Sequence, residues 1–148
     1  MIDFKFFHEE NAEVKDAIEK VGFKQREPFL SSERKPWFLI IYFKNIAIGV
    51  ASFIESDPET WEITSIYVRE QLRHQKIGSY MLKFMQTKIR DLGGRWAIIH
   101  IPFSMKDFVL RNGYHESNDG EIIEKSGGVY LKTAKFLCQK SYRPRTRY

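Results

Sequence analysis

The chain has 148 residues, of which 43% are hydrophobic and 15% aromatic, enough apolar material for a domain with a real core, and this excludes disordered, coiled-coil and collagen-like proteins. The longest apolar run, Trp37–Phe43, is far shorter than the roughly 20 residues of a membrane-spanning helix, and the charged N-terminus lacks the apolar stretch of a signal peptide, so we expect a soluble, cytoplasmic protein. Its single cysteine, Cys138, excludes an intramolecular disulfide and cannot by itself build a zinc ribbon.

The net charge of +5 is concentrated at one end of the sequence. Residues 140–148 contain four basic residues and no acidic one, which leaves 20 basic against 19 acidic residues in 1–139. We therefore predict a single domain over residues 1–139 and a basic tail over residues 140–148. Because basic and aromatic residues alternate in this tail, three roles stay open: phosphate contacts with base stacking, a solubilising end, or packing on the domain.

The first half of the sequence predicts four strands and one helix. Residues 2–7 alternate apolar and polar side chains as a strand does, and apolar residues at helical spacing from 11 to 21 predict a helix that Gly22 closes. Residues 25–36 predict a loop. Two β-rich runs, 37–43 and 46–54, are joined by the tight-turn pair Lys44-Asn45, and with residues 61–68 they should form an antiparallel meander.

The second half predicts helices alternating with strands. Apolar residues repeat every three or four positions from Ile77 to Leu92, which predicts a helix that Gly93-Gly94 terminates. A buried strand over 96–101, a short helix over 104–112, and a final strand pair around 121–124 and 129–136 follow. Because a helix separates strand 61–68 from strand 96–101, these two should lie parallel within an otherwise antiparallel sheet of a mixed α/β protein.

The segment from 66 to 82 carries the clearest chemical signal. A strand runs into a short basic loop, and the loop runs into a helix whose first turn contains Gly78 and Ser79. The unpaired N–H groups and the dipole of such a helix start attract anions, and phosphates in particular. Arg73 and Lys76 add positive charge there. The same residues are also compatible with a strand-to-helix turn that carries a solvated basic cluster.

The run Arg73-His74-Gln75-Lys76-Ile77-Gly78 resembles the acetyl-CoA motif Q/R-x-x-G-x-G/A of the GNAT superfamily of N-acetyltransferases. The preceding strand end Ile66-Tyr67-Val68 and the segment 108–114, in which the predicted helix ends in Gly-aromatic, extend the resemblance over nearly the whole chain. It implies a GNAT-like fold, with a mixed, mostly antiparallel sheet of about six to seven strands, flanked by helices and splayed at one parallel pair. It also implies acetyl-CoA as cosubstrate; we expect no metal, because the histidines lack metal-ligand spacing.

The resemblance assigns the binding roles residue by residue. The pyrophosphate of CoA would be held by Arg73, His74, Gln75, Lys76, Ile77, Gly78 and Ser79. The pantetheine arm and the thioester would lie along Ile66, Tyr67 and Val68. Lys76 stands where the family commonly has its first glycine, and an ammonium near a pyrophosphate offsets part of the lost backbone access.

The resemblance also suggests the catalytic groups. Glu62, six residues before Val68 on the same strand, is the expected general base for the amine, directly or through water; the alternative is a strand carboxylate in an ion pair. Val109 occupies the position where many family members have a proton-donating tyrosine. Tyr114, Tyr130 or water would replace it, or the thiolate would leave unprotonated, since a thiol has a pKa of about 8.5.

We thus expect an N-acetyltransferase that moves an acetyl group from acetyl-CoA to a primary amine of a small molecule or protein. The alternative is a catalytically silent GNAT-like binding module whose basic tail holds nucleic acid or an acidic partner. The four histidines show no metal-ligand spacing, and His100 is either structural or a substrate contact. We expect no membrane association, and a monomer or a homodimer.

Overall fold

The computed structural model describes residues 2–73, 76–117, 122–125 and 128–137. Within them the helices are α1 (Ala12–Val21), α2 (Ile77–Asp91) and α3 (Lys106–Arg111). The strands are β1 (Ile2–Phe7), β2 (Trp37–Phe43), β3 (Ile46–Asp57), β4 (Thr60–Val68), β5 (Trp96–Pro102), β6 (His115–Glu116), β7 (Ile122–Lys125) and β8 (Gly128–Phe136). Cys138 and the predicted tail over 140–148 lie outside the described residues.

Local sequence signals explain where the first elements begin and end. Asn11 caps α1, because its Oδ1 accepts a hydrogen bond from the Val14 N–H at 2.9 Å. Gly22 ends the helix with φ 80° and donates its N–H to the carbonyl of Ile18. Lys44 and Asn45 both have positive φ, 52° and 66°, the geometry of a tight turn whose twist suits the β2–β3 hairpin.

Within the described part of the chain, the strands form one eight-stranded sheet with the order β1-β2-β3-β4-β5-β8-β6, in which β7 also pairs with β8. Each described pairing is antiparallel except β4 with β5, which is parallel. The predicted mixed sheet with one parallel pair is confirmed. The seven predicted strands are present, and the sheet gains an eighth, β6, which is only two residues long and carries no periodic signal.

The sheet buries a separate apolar cluster on each face. Alternating residues of β2 and β3 pack against α1 on one side, with Phe38, Ile40 and Val50 in contact with Val14 and Ala17. The intervening residues of β2 and β3, such as Leu39, Ile41 and Ala51, point to the other side. There they pack with β4 and β5 against α2 and α3. No helix in the described part of the chain is long and apolar enough to cross a membrane.

The two parallel strands separate halfway along their length. The β4–β5 register runs from Thr60 opposite Trp96 to Ile63 opposite Ile99 and stops there, although β4 continues to Val68. A bulge sits at the same level, since Thr64 has no register partner on β3. The result is an opening between β4 and β5 whose closed end lies at Ile63 and Ile99.

Candidate active site

β4 forms one side of the opening. This part of the strand includes Ile66, Tyr67 and Val68, the residues predicted to lie along the pantetheine arm and the thioester. Val68 is buried and Ile66 partly buried in the cluster under α2, whereas the Tyr67 ring packs edge-on against Phe23 on the other face, with ring centroids 5.4 Å apart. The side chains therefore hold the strand in place. The backbone of this stretch of β4 has no register partner on β5 and faces the opening.

The loop after β4 is folded back onto the end of the sheet. Arg69 donates its backbone N–H to the carbonyl of Ile48 at 2.9 Å and its Nε to the carbonyl of Ala47 at 2.8 Å. The Nε of Arg73 donates to the carbonyl of Val68 at 3.0 Å, so its guanidinium lies where the strand ends. His74 and Gln75, both predicted pyrophosphate ligands, lie outside the described residues.

Helix α2 starts at a strained residue. Lys76 precedes its first turn with φ 65° and ψ 11°, the left-handed region that favours glycine, which gives a physical reason for a glycine at this position of the motif. The exposed Lys76 thus combines a glycine's backbone conformation with a positive charge. The next residue, Ile77, is buried and anchors the helix start to the core.

Gly78 and Ser79 both contact α3. A Cβ on Gly78 would lie 3.2 Å from Cζ of Phe108, so the close packing of the two helices favours a small residue here, besides any access for phosphate. The Oγ of Ser79 accepts a hydrogen bond from Nδ2 of Asn112 at 3.2 Å. These two contacts fix the position of the α2 N-terminus relative to α3.

At the closed end of the opening, Glu62 lies on the face opposite α2. Its side chain is buried, with 1% of the residue exposed, and three donors surround the carboxylate. Oε1 accepts from the N–H of Leu30 at 2.9 Å, and Oε2 accepts from the N–H of Phe29 at 3.1 Å and lies 3.0 Å from Nδ1 of His100. Both oxygens are therefore occupied by protein donors.

His100 is the first residue of β5 beyond the last β4–β5 pair. It is 2% exposed, and the Phe29 ring stacks on its imidazole with centroids 4.4 Å apart and planes 15° apart. Its Nε2 is buried and has no hydrogen-bond partner among the described residues. The Glu62–His100 pair thus ends in one unpartnered ring nitrogen.

A covering segment, residues 23–36, lies over this pair. The backbone N–H of Arg26 donates to Oγ of Ser65 at 3.1 Å, and the Arg26 guanidinium lies over the Tyr130 ring at 5.0 Å. The Oγ of Ser32 donates to the carbonyl of Glu55 at 2.6 Å. The segment predicted as a loop is therefore held at several points, and it shapes the surroundings of the opening.

The predicted substitutes for the missing tyrosine lie in different places. Val109 is fully buried in the core under α2, and so is Tyr114, whose hydroxyl accepts a hydrogen bond from Nε2 of Gln86 at 2.9 Å. Burial raises the pKa of Tyr114, which keeps its proton in place. Tyr130, beside Arg26 and the Phe29 ring, is the candidate on the same face as Glu62.

The pairing of Glu62 with His100 was not predicted, although the sequence contains a signal for it. Glu62 stands between Trp61 and Ile63, and His100 between Ile99 and Ile101, so both polar residues face away from the same apolar cluster. In the register, Glu62 is opposite Ile98, which places His100 one same-face step further along β5. Among the described residues, no group of three or more His, Cys, Asp or Glu side chains is placed to hold a metal.

Comparisons with known proteins agree with this architecture. The model of the acetyltransferase (GNAT) family matches residues 4–102, whereas no curated protein gives a match. Among solved structures, the IAA acetyltransferase from Bacillus cereus is 17% identical, with a TM-score of 0.68 over 93% of this chain and 100% of that one.

Two further solved structures contain the coenzyme. A GNAT family acetyltransferase from Elizabethkingia anophelis with acetyl-CoA bound is 16% identical, with a TM-score of 0.64 over 92% of this chain and 98% of that one. An aminoglycoside 6'-N-acetyltransferase complexed with coenzyme A is 12% identical, with a TM-score of 0.67 over 98% of this chain and 99% of that one. At these identities the likeness establishes the fold.

Proposed function

Because the chain belongs to the GNAT acetyltransferase family, we propose that it transfers an acetyl group from acetyl-CoA to a primary amine by direct attack of the amine on the thioester. The observation that carries the proposal is the opening beyond Ile63 and Ile99. It places β4 backbone without a β5 partner between the buried Glu62–His100 pair and the N-terminus of α2.

The cofactor cradle is the loop and helix start after β4. The first N–H groups of α2 would donate to an anion bound above the helix, and Arg73 and Lys76 add two full charges beside them. These groups suit a pyrophosphate, together with His74 and Gln75 of the same motif. The pantetheine arm, which has amide groups of its own, would hydrogen-bond to the extended backbone of Ile66, Tyr67 and Val68.

The chemistry follows from that placement. The amine nitrogen attacks the thioester carbon, a C–N bond forms, and the C–S bond breaks as its electron pair moves to sulfur. A backbone N–H near Ile66 or Tyr67 would stabilise the negative charge that develops on the carbonyl oxygen. The thiolate leaves without a dedicated acid, since a thiol of pKa about 8.5 is a tolerable leaving group, and the amine proton passes to the site that contains Glu62.

Calorimetric titration with acetyl-CoA tests the cradle. We expect saturable binding, and an affinity about tenfold lower when Arg73 and Lys76 are both replaced by alanine, since each exposed ion pair contributes up to about 1 kcal/mol. The matched control is Lys83→Ala, which removes an exposed charge from the same helix further from its N-terminus. An affinity that is unchanged in the double variant, or equally weakened in the control, contradicts the assignment.

Release of free CoA thiol tests the reaction. The wild-type protein is incubated with acetyl-CoA and a panel of primary amines: an alkyl monoamine, a diamine, an aminosugar, an amino acid and a lysine peptide. We expect amine-dependent thiol release and an acetylated product of the matching mass. Binding of acetyl-CoA without thiol release for any amine would favour the silent binding module instead.

A further inference from the structure

The geometry points to Nε2 of His100 as the atom that takes the proton from the amine, with Glu62 as the residue that positions the imidazole. This inference rests on the proposed acetyl transfer and assigns its general base. It changes the role expected for Glu62, whose carboxylate would act through His100 rather than on the amine itself.

The hydrogen bonds around Glu62 fix the orientation of the His100 ring. A carboxylate accepts hydrogen bonds and donates none, so the imidazole nitrogen 3.0 Å from Oε2 is the one that carries a hydrogen, Nδ1. In the neutral ring the lone pair then belongs to Nε2. With Leu30 and Phe29 donating to the same carboxylate, Glu62 has little freedom to leave this arrangement.

Nε2 of His100 is buried and has no hydrogen-bond partner among the described residues. An unsatisfied buried polar atom costs about 1–3 kcal/mol, so it calls for an explanation, and a catalytic role is one such explanation. His100 stands just beyond the last β4–β5 pair, at the closed end of the opening, and Phe29 stacks on its ring. In the proposed reaction this lone pair receives the proton from an amine bound in the opening, directly or through one water.

The step balances with groups that are present. As the amine nitrogen bonds to the thioester carbon, its proton moves to Nε2 and the electron pair of the C–S bond goes to sulfur. The imidazolium that forms is stabilised by the Glu62 carboxylate at 3.0 Å. It then returns its proton to solvent or to the departing thiolate, and the ring is neutral again.

The first experiment removes the base but keeps the hydrogen bond. His100→Asn retains a side-chain N–H close to the position of Nδ1, so the hydrogen bond to Glu62 and the fold should persist. The asparagine has no counterpart of Nε2. We expect turnover to fall by about 10²–10⁴-fold with unchanged affinity for acetyl-CoA. The control is His115→Asn, an exposed histidine on β6, which should retain wild-type turnover.

Chemical rescue separates a basic role from a structural one. In His100→Ala, added imidazole should restore part of the lost turnover, whereas pyrazole, which has nearly the same shape and is far less basic, should not. Equal rescue by both compounds, or full turnover in His100→Asn, would overturn the assignment of His100. A wild-type protein that binds acetyl-CoA but acetylates no amine would instead refute the proposed function on which it rests.

One further readout reports on the ring itself. In nitrogen-15 NMR spectra of the wild-type protein, the His100 ring should carry its hydrogen on Nδ1 in the neutral form, and the opposite tautomer would contradict the assignment of Nε2 as the base.

Discussion

Replacing Glu62 by glutamine tests whether this carboxylate holds the covering segment in place. The amide oxygen would keep the position of Oε2, which serves two donors, Phe29 N–H and His100 Nδ1. The amide nitrogen would then face the Leu30 N–H, now 2.9 Å from Oε1, so two donors would oppose each other. The variant therefore loses the hydrogen bond from Leu30, and its bonds from Phe29 and His100 are no longer made to a charged group.

The size of the effect follows from those three bonds. A lost hydrogen bond to a charged group costs about 1.5–3 kcal/mol, and charge-assisted bonds are roughly twice as strong as neutral ones. At 1% exposure, solvent does not compensate. We expect Glu62→Gln to lower the free energy of unfolding by about 3 kcal/mol, which for a chain of this size lowers Tm by about 6–12 °C.

Two measurements check this expectation. Urea unfolding gives the change in stability, and hydrogen exchange shows where it acts, because the amides of Phe29 and Leu30 should be protected in the wild type and exchange much faster in the variant. The control is Glu59→Gln, whose side chain is 62% exposed and which should change stability by less than about 0.5 kcal/mol. Unchanged stability with protected amides in Glu62→Gln would refute the anchoring role.

Three further predictions concern the backbone and the core. Lys76→Gly should raise the free energy of unfolding by about 0.5–1 kcal/mol, because a side chain at φ 65° is strained and glycine is not, while Lys76→Ala should give no gain in the same urea titration. Gly49→Ala should destabilise the protein by about 1–3 kcal/mol, since the new Cβ would lie 2.9 Å from Sδ of Met81; thermal unfolding measures this, and a neutral result would mean that Met81 moves aside freely. Tyr114→Phe should lose about 1 kcal/mol of stability with its hydrogen bond from Gln86 and keep full turnover in the thiol-release assay, because its hydroxyl is buried in the core; a large loss of turnover would show that Tyr114 protonates the thiolate after all.

The sequence by itself determined the three helices and the seven longer strands, and it indicated one candidate binding loop, because those features depend on neighbours along the chain. The caps at Asn11 and Gly22, the turn at Lys44-Asn45 and the parallel pair around α2 all follow from local spacing and element order. The loop proposed to bind an anion was equally visible, since its strand end, basic residues and helix start are contiguous. The prediction of Glu62 as a site residue came from the family resemblance and stays a prediction.

Only the tertiary structure decided what each of those residues touches. Glu62 and His100 are 38 residues apart in the sequence, and they meet because β4 and β5 share a register up to Ile63 and Ile99 and then separate. The hydrogen bonds from the covering segment that occupy Glu62 likewise depend on how a segment without regular structure crosses the sheet. Periodicity and spacing report the direction of a side chain relative to its own strand or helix. The contact between Glu62 and His100 depends on the relative positions of two strands and a loop, and those are fixed only by packing.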